Sequence, residues 1–371
     1  MDYIIIGGGV YGCGVAWELA RQGAEVLLLE AGTIAGGASG GLGKRGVRAN
    51  GRDLRELPLM RMAYEQWPTL HEELGHDTCY ARVGHLQIIE RPRDLPSASA
   101  RAWMQQQQGI ATQVLDGATL REREPYVNEG VLGALYCPND GIADHTATTL
   151  GYAAAAQRAG AQIWTGTSVT AIEQKAGRVT AVQTTTTERI AVEKALILLA
   201  NSAVPPLLET TFQLTLPIWS RLPQVVLTAP VDPLPLHHLI GHAHRRLAMK
   251  ALPSGQVMIS GGWLGRWDER QGQGLTIADQ VTGNVAEAVA LYPVLDGVAI
   301  VDAVADRLET ESTDGIPIVD QVPGIANLYY GTGWSGHGWA IAPAVSRLLA
   351  AWVFSGQRSP LLAPFAYTRF R

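Results

Sequence analysis

Cysteine is almost missing from this chain. There are three, Cys13, Cys79 and Cys137, widely separated and forming no CxxC pair. That excludes a disulfide framework and makes a reducing compartment, the cytoplasm, the expected setting. An excess of charge of one sign is missing too. The 29 Lys and Arg nearly balance the 34 Asp and Glu, for a formal charge of −5. The chain therefore lacks the electrostatic footprint of a nucleic-acid or anionic-membrane binder. No apolar run is long enough to cross a bilayer without an interrupting charge or a cluster of glycines, so no membrane span is expected. No basic stretch precedes the strand pattern that begins at Tyr3, and no small-residue cleavage site follows it, so no secretory signal is read. Internal repeats are absent. What is plentiful is glycine, 41 residues, and apolar side chains, 47% of the chain. At 371 residues the chain suits two domains, interleaved in sequence.

The start of the chain reads as strand, tight turn, helix, strand. Tyr3 to Ile6 is a β-branched run broken by Gly7, Gly8 and Gly9. Residues 10–22 place Val10, Val15, Leu19 and Ala20 at near-helical spacing, and Gly23 reads as the glycine that stops the helix. Residues 25–30 (EVLLLE) are a buried strand with an acid at its end, and such a βαβ start implies a parallel sheet. Residues 31–46 are glycine-dense loop. Residues 54–74 predict one helix, 81–90 a strand, and the glutamines 105–108 a solvated helical face. Residues 146–160 predict a helix, 161–173 a strand ending in Val169, and 192–200 a strand of the parallel-sheet type. From 214 to 262 short strands broken by proline suit an antiparallel sheet. Residues 327–355 read as strand, glycine-rich turn and helix.

Gly7, Gly9 and Gly12 fit GxGxxG. Gly7 permits the tight turn, Gly9 lets the backbone approach a pyrophosphate, and Gly12 lets the helix pack on the strand. The helix that follows, from Val10 and Tyr11, offers free N–H groups and a favourable dipole to the phosphates. Glu30, with Ala31 after it, ends the next strand where an acid accepts hydrogen bonds from a ribose. An acid there disfavours a 2′-phosphate. The motif follows a strand, opens a helix and has its acid in place, so dinucleotide binding is preferred to a merely structural turn.

These residues, with three further segments, carry a resemblance to the FAD-dependent D-amino acid oxidase superfamily, in the style of its sarcosine oxidase and glycine oxidase branch. The segments are residues 36–48 (GGASGGLGKRGVR) with the helix after them, residues 135–173, and residues 313–343 (TDGIPIVDQVPGIANLYYGTGWSGHGWAIAP). The most specific is Gly333-Trp334-Ser335-Gly336-His337-Gly338, close to the family's GFSGHG turn, which packs against the flavin ring. The resemblance implies an α/β fold: a Rossmann-type FAD-binding domain assembled from residues 1–80, 140–210 and 320–371. A second α+β substrate domain, on a largely antiparallel sheet, takes 81–139 and 211–319. It implies that Ser39, Gly40, Gly41 and Leu42 wrap the pyrophosphate, that Arg45 lies near the flavin ring and that Val169 meets the adenine through its backbone. Asn201 stands where the family has glycine.

The activity implied is oxidation of the C–N bond of a small amine or amino acid, with hydride passing to FAD and then to oxygen or another acceptor. A flavoprotein subunit of a hetero-oligomeric dehydrogenase and a catalytically silent flavin-binding protein are the alternatives. Relatives hold the substrate carboxylate with cations on two or three elements. Arg48 matches one, with a structural tie to an acid such as Glu56 as its competing role. Ala340 replaces a second, and Glu309 falls at the third. This implies either a substrate unlike glycine, with a cationic or bulky group, or an anchor moved to Arg307, Arg221 or Arg266. Arg307 aligns with the cysteine that binds flavin covalently in monomeric sarcosine oxidase, and residues 36–46 hold no histidine, so noncovalent FAD is implied. His337 reads as a structural histidine of the turn. His237, His238, His242 and His244 (HHLIGHAH) have no carboxylate or cysteine at metal-ligand spacing, so a surface loop and no metal are expected. Trp263 and Trp267 suit a pocket wall or a core equally.

Overall fold

The computed structural model describes residues 1–39, 43–186 and 189–371. A six-stranded sheet orders Ile318–Gln321, Leu328–Thr332, Ala195–Leu198, Tyr3–Ile6, Val26–Leu29 and Gln162–Trp164. Every neighbouring pair is parallel except the first. Ile4, Ile5, Leu27, Leu28, Leu196 and Ile197 are all fully buried, which explains why these strands are unbroken aliphatic runs rather than alternating ones. One face is covered by three helices, Val10–Ala20, His145–Arg158 and Ala342–Ser355. Gly14 sets their closeness: a Cβ there would stand 2.6 Å from Ser346 Oγ. The segment Gly338–Ser355 is long and apolar enough to cross a membrane by length and composition, but 67% of it is buried inside the protein, as a core helix should be.

The second sheet has eight strands, in the order Ile300–Val304, Val225–Thr228, Val257–Ser260, Ala248–Ala251, Leu239–His242, His85–Ile89, Gly133–Cys137 and Gln113–Asp116. All its pairs are antiparallel except Leu239–His242 with His85–Ile89. Alternation decides its two faces. Leu86, Ile88, Ile240, Leu247, Met249, Val257 and Ile259 are buried in one core with Ala288 and Leu291 of the helix Ala278–Leu291. The residues between them point the other way, towards the six-stranded sheet's glycine turns.

Four expectations need correction. Residues 54–74 are not one helix: a 3₁₀ turn Leu54–Glu56 and the helices Leu57–Gln66 and Leu70–Leu74 replace it. Pro68 in the second break can donate no backbone hydrogen bond. Residues 161–173 divide into Gln162–Trp164 and Val169–Lys175, in different sheets, with Gly166 turning between them at φ +62°. Val169 therefore begins a strand. The first long helix ends before Arg21, and Gly23 (φ +80°) shapes the turn after it rather than the cap. Among residues 105–108, Gln105 is buried and donates to Thr112 Oγ1 at 2.9 Å and Cys137 Sγ at 3.3 Å, so only part of that run is a solvated face.

Candidate active site

A cavity of about 1050 Å³ lies between the two sheets. At one end it is walled by backbone. Gly7 holds φ +113°, and a Cβ there would be 2.7 Å from Leu199 O. A Cβ on Gly12 would be 1.8 Å from Gly7 O, whereas one on Gly9 would meet nothing within 4 Å. Gly12 thus packs helix on strand, and Gly9 faces open space. Gly9 is the residue before the helix and supplies no side-chain cap, and the first turn holds no acid, so the helix N–H groups are left for a ligand. Glu30 accepts from Gly8 N at 2.6 Å and Gly32 N at 2.7 Å. Gly7, Gly9, Val10, Tyr11, Glu30, Ala31 and Val169 all stand on the cavity wall, and Gly12 does not.

The second backbone wall is the turn after Leu328–Thr332. Trp334, Ser335, Gly336, His337 and Gly338 line the cavity, whereas Gly333, at φ +73°, shapes the turn behind it and donates to Thr310 Oγ1 at 3.0 Å. Trp334 stacks on Tyr11 with ring centroids 3.6 Å apart, and the Tyr11 hydroxyl donates to Gly338 O at 2.5 Å. Burial pushes the Tyr11 phenol well up. The His337 ring is tied into the turn: Nε2 meets Gly315 O at 3.1 Å and Nδ1 meets Arg52 Nη1 at 3.2 Å. Arg52 also pairs with Glu56 at 2.9 Å, both side chains buried, and donates to His337 O. Arg52, which sequence reading overlooks, is thus the partner of Glu56 in place of Arg48.

The third wall is made of side chains. On the cavity face of the eight-stranded sheet, His85, Leu239, Lys250 and Met258 form one row and Gln87, Gly241, Ala248 and Ser260 the next. The strand Lys44–Val47 lies over Leu239, close enough that a Cβ on Gly46 would stand 2.8 Å from Leu239 Cδ2. It brings Arg45 beside Lys250, and Arg48, just beyond it, beside His85. Burial lowers Arg45 to about 10. Burial, with Arg45 as a second cause, lowers Lys250 to about 7, and Lys250 has no hydrogen bond or ion pair among the described residues. Burial and then Arg52 lower Arg48. Its guanidinium makes one hydrogen bond among the described residues, Nη1 to Asn50 O at 2.6 Å, and no ion pair. Sequence reading missed His85 and Lys250. The signal was in the alternation, since HLQII and LAMKA each place a polar side chain opposite a buried aliphatic one.

The remaining expectations are placed as follows. Ser39 and Arg45 line the cavity, and Gly40, Gly41 and Leu42 lie outside the described residues. Glu309 lines the cavity but is engaged: Oε2 accepts from Ser39 Oγ at 2.7 Å, and Oε1 from Thr310 N at 2.9 Å and Asn201 Nδ2 at 3.3 Å. Asn201 adopts φ +42°, a conformation asparagine tolerates better than most residues, which accounts for its place at a glycine position. Arg221 reaches the wall but pairs with Glu311 at 3.1 Å, and Arg307 donates to Gly36 O at 2.7 Å. Arg266, Trp263 and Trp267 are not on this wall, and Trp263 packs over Gly283.

The histidine-rich run is not a surface loop: Leu239–His242 is an interior strand of the eight-stranded sheet with His242 buried, and the run is held by acids that its spacing could not show. His238 Nδ1 lies 2.6 Å from Glu124 Oε1. Glu90, His242 and His244 bring ligand atoms within 4.8 Å of one another. His242 Nδ1, however, accepts from the backbone N of His244 and Arg245 at 3.2 Å each. Its ring proton therefore sits on Nε2, facing Glu90 Oε2 at 3.3 Å, where Arg245 Nε also donates at 2.6 Å. A metal would need that Nε2 lone pair, with the proton on the other nitrogen. The hydrogen bonds here are those of Arg245 to Glu90 and of the two backbone N–H groups to His242; His242 Nε2 and His244 Nδ1 make none among the described residues.

Residues 2–352 match the profile of the DAO family of FAD dependent oxidoreductases. The chain belongs to that family. It is 26% identical over 379 residues to the sarcosine oxidase subunit beta of an Arthrobacter species, covering 100% of this chain and 91% of that one. It is 27% identical over 380 residues to glycine oxidase of Geobacillus kaustophilus, covering 99% and 97%. Among solved structures, L-proline dehydrogenase from P. horikoshii superposes with a TM-score of 0.90 at 21% identity, covering 100% of this chain and 97% of the other. Glycine oxidase from Geobacillus kaustophilus gives 0.87 at 23%, covering 99% and 98%. The chain is therefore an FAD-dependent oxidoreductase. The site fits the cofactor: an uncapped helix N-terminus, an open face at Gly9 and an acid at Glu30 are the donor and acceptor set that a dinucleotide requires.

Proposed function

We propose that this enzyme oxidises the C–N bond of a small amino acid to an imine, with FAD held noncovalently between the glycine turns and the eight-stranded sheet. FAD supplies the hydride acceptor. The Gly7–Gly12 turn would hold its pyrophosphate, Glu30 its ribose, and Val169 the adenine end. The Trp334–Gly338 turn would face the pyrimidine end with backbone N–H groups suited to negative charge. Noncovalent binding is supported by the cysteines. None lines the cavity among the described residues, and burial raises the Cys13 and Cys137 thiols above the range in which they are reactive.

The observation that carries the substrate class is Arg48: a half-buried guanidinium on the cavity wall with one backbone partner and no carboxylate among the described residues. A half-buried cation in that state favours an anion, and a guanidinium takes a carboxylate bidentately. Orienting the substrate by its carboxylate holds Cα–H in place, which is the protein's main contribution to such a reaction. Glycine, sarcosine, L-proline and D-alanine added anaerobically to the purified yellow protein test this. Bleaching of the flavin band by at least one is the expected result, and silence with all four would count against it. A second reading, that the chain works as one subunit of a larger oxidase or dehydrogenase, is supported by full-length similarity to proteins named as beta subunits. Copurification of a second chain from the native source would decide it.

A further inference from the structure

We propose that His85 is the base that takes the proton from the substrate's ammonium group, with Asp140 positioned behind it and Arg48 beside it to couple that transfer to carboxylate binding. This rests on the amino-acid reading above.

Three observations meet at His85. Its Nδ1 is buried without a hydrogen bond and stands 3.8 Å from Asp140 Oδ2, a gap that a small rotation of the ring closes. Its Nε2 has no partner among the described residues and sits at the face of Gly241, where a Cβ would be only 2.7 Å away; both residues line the cavity. The natural tautomer therefore carries its proton towards Asp140 and presents a lone pair to the cavity. Asp140 is fixed: Oδ1 accepts from Ala49 N at 2.6 Å and from the Tyr64 hydroxyl, and Oδ2 accepts from Asn50 N at 3.2 Å. Those backbone donors belong to the loop that carries Arg48, so one carboxylate holds the loop of the carboxylate anchor and stands behind the base.

An amino acid arrives as a zwitterion, and its ammonium has no lone pair to form a C=N bond. In the proposed step one N–H bond breaks and an Nε2–H bond forms. The lone pair so released becomes the C=N bond as the Cα hydride departs. The charged and titratable groups facing His85 are Arg48, Asp140 and His238, with Lys250 two strands away in the same row. Burial first, and then Arg48 and His238, hold the His85 imidazole well below its usual pKa. A substrate carboxylate on Arg48 cancels the second of these, leaving Asp140 to stabilise the imidazolium. The base is weak until the correct substrate is present.

The test follows anaerobic flavin bleaching against pH, using the best of the four amino acids above, in wild type, His85→Gln and Gly241→Ala. The alanine methyl of the last covers Nε2 without removing the ring. The acid limb of the wild-type profile should lie below the amine's own pKa. In both variants it should move up by about one pH unit or more, towards that pKa, with the plateau at high pH retained. A second readout is acetate, which perturbs the flavin spectrum and carries no amine. Its affinity should stay within about twofold in His85→Gln and be lost in Arg48→Ala. Superimposable pH profiles of wild type and either folded, flavin-loaded variant would overturn the proposal and leave the amino-acid reading standing. Failure of all four amino acids to bleach the wild type would overturn both.

Discussion

The two ends of the cavity are built from different materials. At the nucleotide end the donors are backbone N–H groups of Gly7–Gly12 and of the turn at Trp334–Gly338, and side chains are conspicuous by their removal. On the eight-stranded sheet the chemistry is in side chains, His85, Lys250 and Gln87, presented by strands far apart in sequence. A backbone-built site needs glycine at fixed local spacing, so it can be read from the chain. A site built of side chains on a sheet depends on register, which pairs His85 with Leu239 and so with Lys250, and no local pattern states that.

The sharpest way to break the comparison is Gly9→Val. The Cβ position is open to the cavity and φ is −79°, so the protein should fold with unchanged circular dichroism. The branched side chain would occupy the pyrophosphate's place, and flavin content should fall to near zero. Gly12→Ala should do the reverse, damaging the fold itself by about 1–3 kcal/mol, because its Cβ would stand 1.8 Å from Gly7 O. Normal flavin content in folded Gly9→Val would show that the backbone end is not the nucleotide site.

The side-chain wall should respond in catalysis rather than in flavin content. Arg48→Ala should keep its flavin and lose about a hundredfold or more in kcat/KM for the best amino acid, from about 2–4 kcal/mol of lost charge-assisted binding. Arg48→Lys should recover only part, because an ammonium cannot reproduce the two-pronged contact. Equal activity of Arg48→Ala and wild type would remove the anchor role.

Lys250 gives a pH signature. Its folded pKa of about 7 lies below the usual 10.5, so the unfolded chain binds the proton more readily. Stability of the apoprotein should rise with pH between about 7 and 10.5 on this account, and the penalty should be fully present below 7. Lys250→Met should flatten that slope in thermal melts and raise stability near neutrality by about 1 kcal/mol or more. An unchanged slope would mean that the ammonium is solvated. The smallest effect belongs to Glu309→Gln. Ser39, Asn201 and Thr310 already occupy its oxygens, so about 1 kcal/mol of stability should be lost, with no change in preference between neutral and cationic substrates. A marked gain in activity on neutral substrates in that variant would restore Glu309 as a substrate contact.

Much of the fold was legible because its signals are local. Tyr3–Ile6, the glycine turn, the helix at Val10 and the buried strands at Val26 and Ala195 are aliphatic runs and glycines that mean the same thing in any context. The failures have physical causes. Pro68 split a helix whose apolar spacing continues across it. Gln105 looked like a solvated polar residue until Thr112 and Cys137 gave it partners. Arg48 and Arg52 lie on one short loop, and only the packing of Glu56 against His337 shows which of them is tied down. For the histidine run, Glu90 and Glu124 come from elements more than a hundred residues away, so spacing could not reveal that acids hold it.

The central claim is that the side-chain wall reads a carboxylate. The most direct test compares one amino acid with the amine of the same skeleton lacking the carboxylate, each added anaerobically to the flavin-loaded enzyme. The amino acid should bleach the flavin at least about a hundredfold more efficiently than the amine, and Arg48→Ala should bring the two together. Equal bleaching by both in the wild type would contradict the account.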